Sequence, residues 1–481
     1  MTSVHKKRAL LTCVLLAAVS TGCETTDYGP LMEKKINDLE AEVEGLESEV
    51  ARLKSTGAQG AAETTVESEG DSDSEEVPST PKLSAEDEKA IRDSLENSDA
   101  FFIVNESGFA IEADLAECRI GNDAISQLAE FSALTKIVLD GTRTDSETYD
   151  ELAKIENLEH LDIARSSPDV AAFEKLKGLK KLKFLQLLKA TLPEDAMKVL
   201  SEFPALEQIR CGQTRVGDTE LQHLANLKTL KAIDLSDCNR VTIKGIEALS
   251  KCPKLSFLKV WGDTIDNDCM PFVAKMKSLR VLGLNDTNVT DEGIKQLAEL
   301  DLREIHLFRT SIGDESLRVI SQMPNVVTLN LRDTRISDQG IEYLTNLKNL
   351  RKLDLSECNS PGITDVSGAH FAKLANLNQL NLWSTKITDA ALQPVSQLKN
   401  LTWLNLDNTQ VTDEGVTILE QMPQLTWLHL GKTKITDVAA TGLMKLVNLK
   451  YLNVSYTKLT EDVAYDLDDF FTPNGGVVIL P

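Results

Sequence analysis

The residues best suited to contact another molecule are large aromatic side chains that recur at a fixed interval. Trp403, Trp427 and Tyr451 are each separated by 24 residues. In a repeating structure such residues lie on one face, so the three rings should form a row. An exposed aromatic row is typical of a site for a protein or peptide, or for a glycan that stacks its sugar faces on the rings. The remaining interpretation is a row whose rings only stack on one another.

Further candidates fall at comparable outward positions. Five of them complete the predicted ligand-binding surface: Trp261, Trp383, Asn405, His429 and Tyr456. Polar residues near this surface could contact either a protein or a glycan: Asn381, Asp407 and Asn408.

Carboxylates recur at a similar interval and form a second set: Asp218, Asp291, Asp314, Asp338, Asp389, Asp413, Asp437 and Glu461. Each precedes an apolar spacing that is typical of a short helix, such as Ile294, Leu297 and Leu300. A carboxylate at a helix start accepts free N–H groups and meets the positive end of the helix dipole. We therefore predict that these acids are helix caps and not metal ligands.

The sequence contains no recognisable catalytic arrangement. His160, His223, His306, His370 and His429 are scattered, and G-x-S-x-G, H-E-x-x-H and C-x-x-C motifs are absent. We expect no enzymatic activity, no metal site and no cofactor.

The elements that position these residues belong to one repeat, L-x-x-L-x-L. We call its third apolar residue the register position, and it falls at Leu115, Leu139, Ile163, Leu187, Cys211, Leu235, Val260, Leu284, Leu307, Leu331, Leu355, Leu382, Leu406, Leu430 and Val454. Most spacings lie between 23 and 25, and the exception is 27, from Leu355 to Leu382. Each unit, or coil, is predicted to contain a short strand of a parallel sheet and an outer helix.

Small polar residues follow the register position by three residues in most coils: Cys118, Thr142, Thr214, Cys238, Thr287, Thr310, Thr334, Cys358, Thr385, Thr409, Thr433 and Thr457. A hydroxyl or thiol at this place can bond backbone groups of the adjoining coil, which would otherwise be buried without partners.

This pattern resembles bacterial leucine-rich repeat proteins with repeats of the form L-x-x-L-x-L-x-x-T-x-I-T-D-x-G. The resemblance implies an α/β solenoid, a horseshoe with a parallel concave sheet and outer helices, over residues 101–481. It also implies recognition of a macromolecule through the concave face. We expect a coiled-coil helix to precede the solenoid.

The amino terminus predicts export. A basic patch is followed by eleven apolar residues, too few to span a bilayer, so residues 1–22 are predicted to be a signal peptide. Gly22-Cys23 resembles the lipobox of bacterial lipoproteins, in which the cysteine is lipidated; plain cleavage and an uncleaved anchor are the alternatives. Glu24, by analogy with lipoprotein sorting, favours the outer membrane, on its periplasmic side or at the surface.

Three segments are predicted between the anchor segment, 23–30, and the solenoid. Residues 31–54 carry heptads, with Ile36, Val43 and Val50 at a and leucines at d, which favours a coiled-coil stalk forming a homodimer or trimer. A lone amphipathic spacer helix is the alternative. Residues 55–82 are an acidic, disordered linker, and residues 83–100 contain a helix that caps the first coil.

Charge and cysteine content narrow the choice of partners. A net charge of −24 and a pI near 4.8 argue against binding nucleic acid. The cysteines of the solenoid are predicted to be structural thiols, with Cys252 and Cys269, placed on the outer side, as the pair to examine for a disulfide.

The predicted function is non-enzymatic recognition of a protein partner in the cell envelope. A structural spacer without a ligand and glycan binding are the alternatives.

Overall fold

The computed structural model describes residues 83–480, and within them one sheet contains 17 short strands. The strands, β1 to β17, are Phe101–Val104, Ala110–Asp114, Lys136–Val138, His160–Asp162, Phe184–Gln186, Gln208–Arg210, Ala232–Leu235, Phe257–Val260, Val281–Gly283, Glu304–His306, Thr328–Asn330, Lys352–Asp354, Gln379–Asn381, Trp403–Asn405, Trp427–His429, Tyr451–Asn453 and Val477–Ile479. β1 pairs antiparallel with β2, and each later strand pairs in parallel with its sequence neighbour.

Short helices alternate with the strands. The helices, α1 to α16, are Ala85–Glu96, Asn122–Leu128, Ser146–Leu152, Val170–Leu176, Ala196–Leu200, Asp218–Leu224, Ile243–Leu249, Met270–Val273, Asp291–Lys295, Asp314–Ile320, Asp338–Leu344, Gly368–Phe371, Asp389–Val395, Asp413–Leu419, Ala440–Leu443 and Glu461–Phe471. Four 3-10 turns add Asn267–Cys269, Asp365–Ser367, Asp437–Ala439 and Thr472–Asn474. Strand and helix therefore alternate once per coil, as the repeat predicts.

The core lies between the sheet and the helices. All fifteen register residues, from Leu115 to Val454, are 0% exposed, and the residue two positions before each of them, such as Leu404, is buried as well. Apolar side chains thus point inward at two positions of every strand, while the residues between them face the other side of the sheet. The predicted α/β solenoid with a parallel sheet is confirmed.

The recurrent aspartates connect successive coils. Asp389 is the first residue of α13, yet its carboxylate accepts the backbone N–H of Thr412 in the next coil at 2.8 Å and the Thr412 hydroxyl at 2.6 Å. The helix that Asp389 begins is capped by Thr388 instead. The same inter-coil bond to a backbone N–H is made by Asp218, Asp291, Asp314, Asp338, Asp413 and Asp437. These acids begin their helices, as predicted, but the prediction that they cap those helices was wrong. Where a side chain caps the helix, it belongs to the serine or threonine before the acid.

The small polar residues three positions after the register residue were predicted to bond the adjoining coil, and most of them bond their own coil instead. The threonine hydroxyl usually donates to the register residue's carbonyl in its own coil, as Thr409 does to Leu406 at 2.6 Å. The hydroxyl of Thr142 and the thiols of Cys238 and Cys358 reach the preceding coil instead. Most of these hydroxyls therefore bond the carbonyl three residues earlier in their own coil, and bonds to the adjoining coil are the exception.

Both ends of the described solenoid carry elements outside the repeat. Helix α1 is capped by the Ser84 hydroxyl and buries Glu88, which accepts the N–H of Ala110 at 2.5 Å. The eleven-residue α16 and the strand β17 follow the last register position. Within residues 83–480, none of the helices combines the length and apolar character needed to cross a bilayer. The predicted signal peptide, lipidated Cys23, stalk and linker lie outside the described residues and stay predictions.

Candidate functional site

Three aromatic rings form a stacked row, here called the aromatic ladder: Trp403, Trp427 and Tyr451. The parallel register places them directly opposite one another on β14, β15 and β16. The ring centroids of Trp403 and Trp427 are 4.1 Å apart at an interplanar angle of 12°, and those of Trp427 and Tyr451 are 4.8 Å apart at 3°. All three side chains are partly exposed.

The strand spacing explains this geometry. Parallel strands lie about 4.8 Å apart, so identical positions on successive strands bring flat rings face to face. Because each inner ring face is covered by the next ring, solvent reaches the ladder chiefly through ring edges. The ladder therefore exposes ring edges rather than a set of open ring faces.

Polar groups flank the ladder on one side. His429 makes an edge-on contact with Trp427 at 5.9 Å, and its Nε2 lies 4.0 Å from the Asp407 carboxylate. Burial and the nearby Lys432 lower the pKa of His429 to about 4, so the imidazole is neutral at pH 7. Burial raises the pKa of Asp407 to about 6. The Lys432 ammonium lies 5.5 Å from the ring centre of the exposed Tyr456.

Asn405 does not belong to the accessible surface. It is 7% exposed, and its Oδ1 accepts the backbone N–H of Asp407 at 2.9 Å. The equivalent Asn381 and Asn453 are also buried and accept the N–H two residues later. Asn405 was predicted to bind the ligand, with Asn381 beside it, and in the structure both side chains turn back to close the bend after their strands.

Trp383 and Trp261 lie in other environments. The Arg332 guanidinium is 4.6 Å from the Trp383 ring and 4.9 Å from that of Phe308, while its Nε donates to Glu357 at 2.7 Å. Trp383 thus belongs to a second aromatic–arginine cluster. Trp261 lies five coils before Trp383, and its indole Nε1 is buried without a hydrogen-bond partner.

Sequence reasoning missed the turn that contains Lys432 and Tyr456, beside the aromatic ladder. The residue two positions after each register residue has a positive φ in all fifteen coils, as Lys432 does at 52° and Tyr456 at 57°. Glycine occupies this left-handed position only at Gly141 and Gly262, so residue type gives no signal. The repeat itself was the available signal, because it aligns Lys432 and Tyr456 at one position.

The remaining predicted groups do not converge on a reactive centre. Among residues 83–480, no cluster of three or more His, Cys, Asp or Glu side chains could hold a metal ion. All six cysteines described are buried and free. Cys252 and Cys269 were predicted on the outer side, but they are 3% and 0% exposed and pack in the core.

Comparisons with solved structures find similar proteins at low identity. An internalin of Listeria monocytogenes is 20% identical, with 77% of this chain and 94% of that chain covered and a TM-score of 0.49. A leucine-rich repeat protein of Leptospira interrogans is 19% identical over 75% of this chain and 92% of that chain, with a TM-score of 0.45. An Arabidopsis receptor kinase ectodomain, solved with a peptide hormone, is 17% identical over 82% and 77%, with a TM-score of 0.41.

A family model identifies the repeat directly. No curated protein sequence gives a significant match to the chain. The model described as "Leucine-rich repeat region" matches residues 114–395 and 194–460, which together make up more than half of the 481 residues. The chain therefore belongs to the leucine-rich repeat family.

Proposed function

We propose that this protein recognises a protein partner through the aromatic ladder on its concave sheet face, and that a lipid on Cys23 anchors it in the cell envelope at the outer membrane. The observation that carries the recognition is the partly exposed stack of Trp403, Trp427 and Tyr451. Solenoid repeats present extended surfaces of this kind to other macromolecules.

The chemistry of the ladder and its flank supports a protein ligand. Tyr456 is 65% exposed, and its ring centre lies 5.5 Å from the Lys432 ammonium. A large aromatic side chain exposed beside the ladder adds surface that a protein partner can bury. Asp407, Lys432 and neutral His429 beside an apolar edge also match an interface with a hydrophobic centre and a polar rim.

The two alternatives fit these observations less well. A glycan would stack on open ring faces, whereas the facing surfaces of the three rings are already occupied by one another. A spacer without a ligand accounts for the stacking itself. It gives no reason for a large aromatic side chain that is 65% exposed at Tyr456.

The recognition proposal predicts a specific loss of capture. The full-length protein should retain a partner from envelope extracts after cross-linking, and the double substitution Trp403→Ser with Trp427→Ser should abolish that retention. Aromatic hot spots each contribute about 2 kcal/mol or more, so losing both removes most of the affinity. Phe184→Ser with Phe257→Ser is the matched control, because both phenylalanines occupy the ladder's strand position elsewhere on the sheet. Equal capture by the ladder variant would contradict the proposal.

The anchoring proposal rests on Gly22-Cys23 after the apolar run. We expect Cys23→Ala, made in a host that processes lipoproteins, to lose metabolic labelling with a fatty acid and to leave the outer-membrane fraction. Cys13→Ala is the control, since Cys13 lies within the predicted signal peptide. Unchanged labelling and membrane association of the Cys23 variant would rule out a lipid anchor at this residue.

A further inference from the structure

Two cysteines from adjacent coils face each other in the core. Cys211 is a register residue, and Cys238 lies three residues after the next register residue, Leu235. The Cys238 thiol donates to the Cys211 carbonyl oxygen at 3.1 Å, while the Cys211 Sγ lies 3.6 Å from the carbonyl oxygen of Asp234 in the coil of Cys238. Each thiol therefore lies against a backbone carbonyl of the other cysteine's coil, which places both side chains between the same two coils.

We propose that Cys211 and Cys238 are a disulfide-forming pair that can lock these two neighbouring coils together covalently. Both are free thiols in this structure, and both are 0% exposed. Because the Cys238 thiol contacts the backbone of Cys211 itself, the two residues lie within the short reach that a disulfide requires. The proposal goes beyond partner recognition and is independent of the anchor and the ladder.

The chain contains an internal comparison for this pair. Cys358 occupies the same position of its coil as Cys238 and donates to the Leu331 carbonyl at the same 3.1 Å. Leucine replaces cysteine at that register position, so Cys358 lacks the facing thiol. Burial raises the pKa of Cys358 to about 11. The neighbouring Cys211 thiol, by contrast, lowers the pKa of Cys238 to about 7, so Cys238 is the more readily ionised thiol of the pair.

The oxidant must be supplied from outside, and a small disulfide such as oxidised glutathione suffices. The Cys238 thiolate attacks one glutathione sulfur, which forms a mixed disulfide and releases one glutathione thiolate. The Cys211 thiol then loses its proton to solvent and attacks the Cys238 sulfur, releasing the second glutathione thiolate. The protein loses two electrons and two protons, and the glutathione disulfide gains the two electrons.

The consequence of the bond is local and mechanical. A solenoid is stabilised by contacts between neighbouring coils, so separation of two coils interrupts the stack. A covalent bond between Cys211 and Cys238 would prevent this separation in the middle of the chain. Because the thiols are buried, oxidation requires either transient opening between the coils or reaction during folding.

Peptide mapping after oxidation tests the pair. The reduced full-length protein is treated with oxidised glutathione in two arms, folded and during dilution from denaturant, and is then acid-quenched, alkylated and digested with trypsin. We expect the peptides of residues 211–215 and 232–240 to be recovered mainly as one disulfide-linked species in at least one arm. Cys358 should be recovered alkylated or carrying glutathione, and not linked to another cysteine.

A matched variant separates this result from random oxidation. Cys211→Leu installs the residue found at the neighbouring register positions, Leu187 and Leu235, and should leave Cys238 without an intramolecular link. Two outcomes would overturn the proposal. The first is an unlinked pair in both arms, and the second is linkage of Cys238 to Cys252, Cys269 or Cys358 as often as to Cys211.

Discussion

Substitution of Leu404 by Ala should lower the free energy of unfolding by about 2–5 kcal/mol, because it removes a fully buried leucine and leaves a cavity between sheet and helices. Substitution of the adjacent Trp403 by Ser should cost only about 1 kcal/mol, since the indole is partly exposed and makes one stacking contact with a ladder ring. Urea unfolding of the two single variants measures the difference.

The pair of variants distinguishes the two faces of the same strand. Leu404 and Trp403 are consecutive, so strand pairing and distance from the chain end are matched. A Trp403 variant that lost as much stability as the Leu404 variant would show that the ladder is part of the core. The proposed recognition surface would then be wrong.

Asp162→Asn should stabilise the protein at pH 8 by about 3 kcal/mol. Burial raises the pKa of Asp162 to about 6, and Asp140 and Asp114 add repulsion. The folded protein therefore holds this proton more tightly than the unfolded chain, whose carboxyl has an ordinary pKa of 3.8. The stabilising effect of protonation is complete below 3.8 and is lost as the pH rises through 6. Asparagine avoids this loss and keeps the acceptor for the N–H of Ala164.

Chemical unfolding at several pH values measures this effect. The gain of the Asp162 variant over the native protein should be full at pH 8 and should shrink as the pH falls from 6 towards 4. Asn381→Asp is the reverse control, since Asn381 makes the same bond to the N–H two residues later and is 4% exposed. It should destabilise the protein at pH 8. An Asp162 variant with a pH-independent gain, or with none, would contradict the role of the buried charge.

The periodicity of the sequence predicted which side chains of each strand face the core and which face outward. The inward direction of Leu404 and Leu406 and the outward direction of Trp403 follow from the alternation of a strand, which residue spacing records directly. Register between coils followed from the constant repeat length, so the alignment of Trp403, Trp427 and Tyr451 was also predictable.

Choices between equivalent hydrogen-bond partners were not predictable. Asp389 lies near free N–H groups of its own helix and of the next coil, and only the structure shows that it binds Thr412. Asn405 could point outward or turn back onto the N–H of Asp407, and the short side chain satisfies that N–H. The left-handed turn at Lys432 and Tyr456 is imposed by the coil's geometry, and neither residue type favours it.

The affinity of the identified partner tests the central claim most directly. Calorimetric titration of the partner, once isolated by capture, into the full-length protein should give a Kd that rises at least about 30-fold for Trp403→Ser alone, which corresponds to about 2 kcal/mol. The Phe184→Ser variant, changed at the same strand position elsewhere on the sheet, should keep the native Kd. A native Kd in the Trp403 variant, with its fold intact by circular dichroism, would contradict recognition through the aromatic ladder.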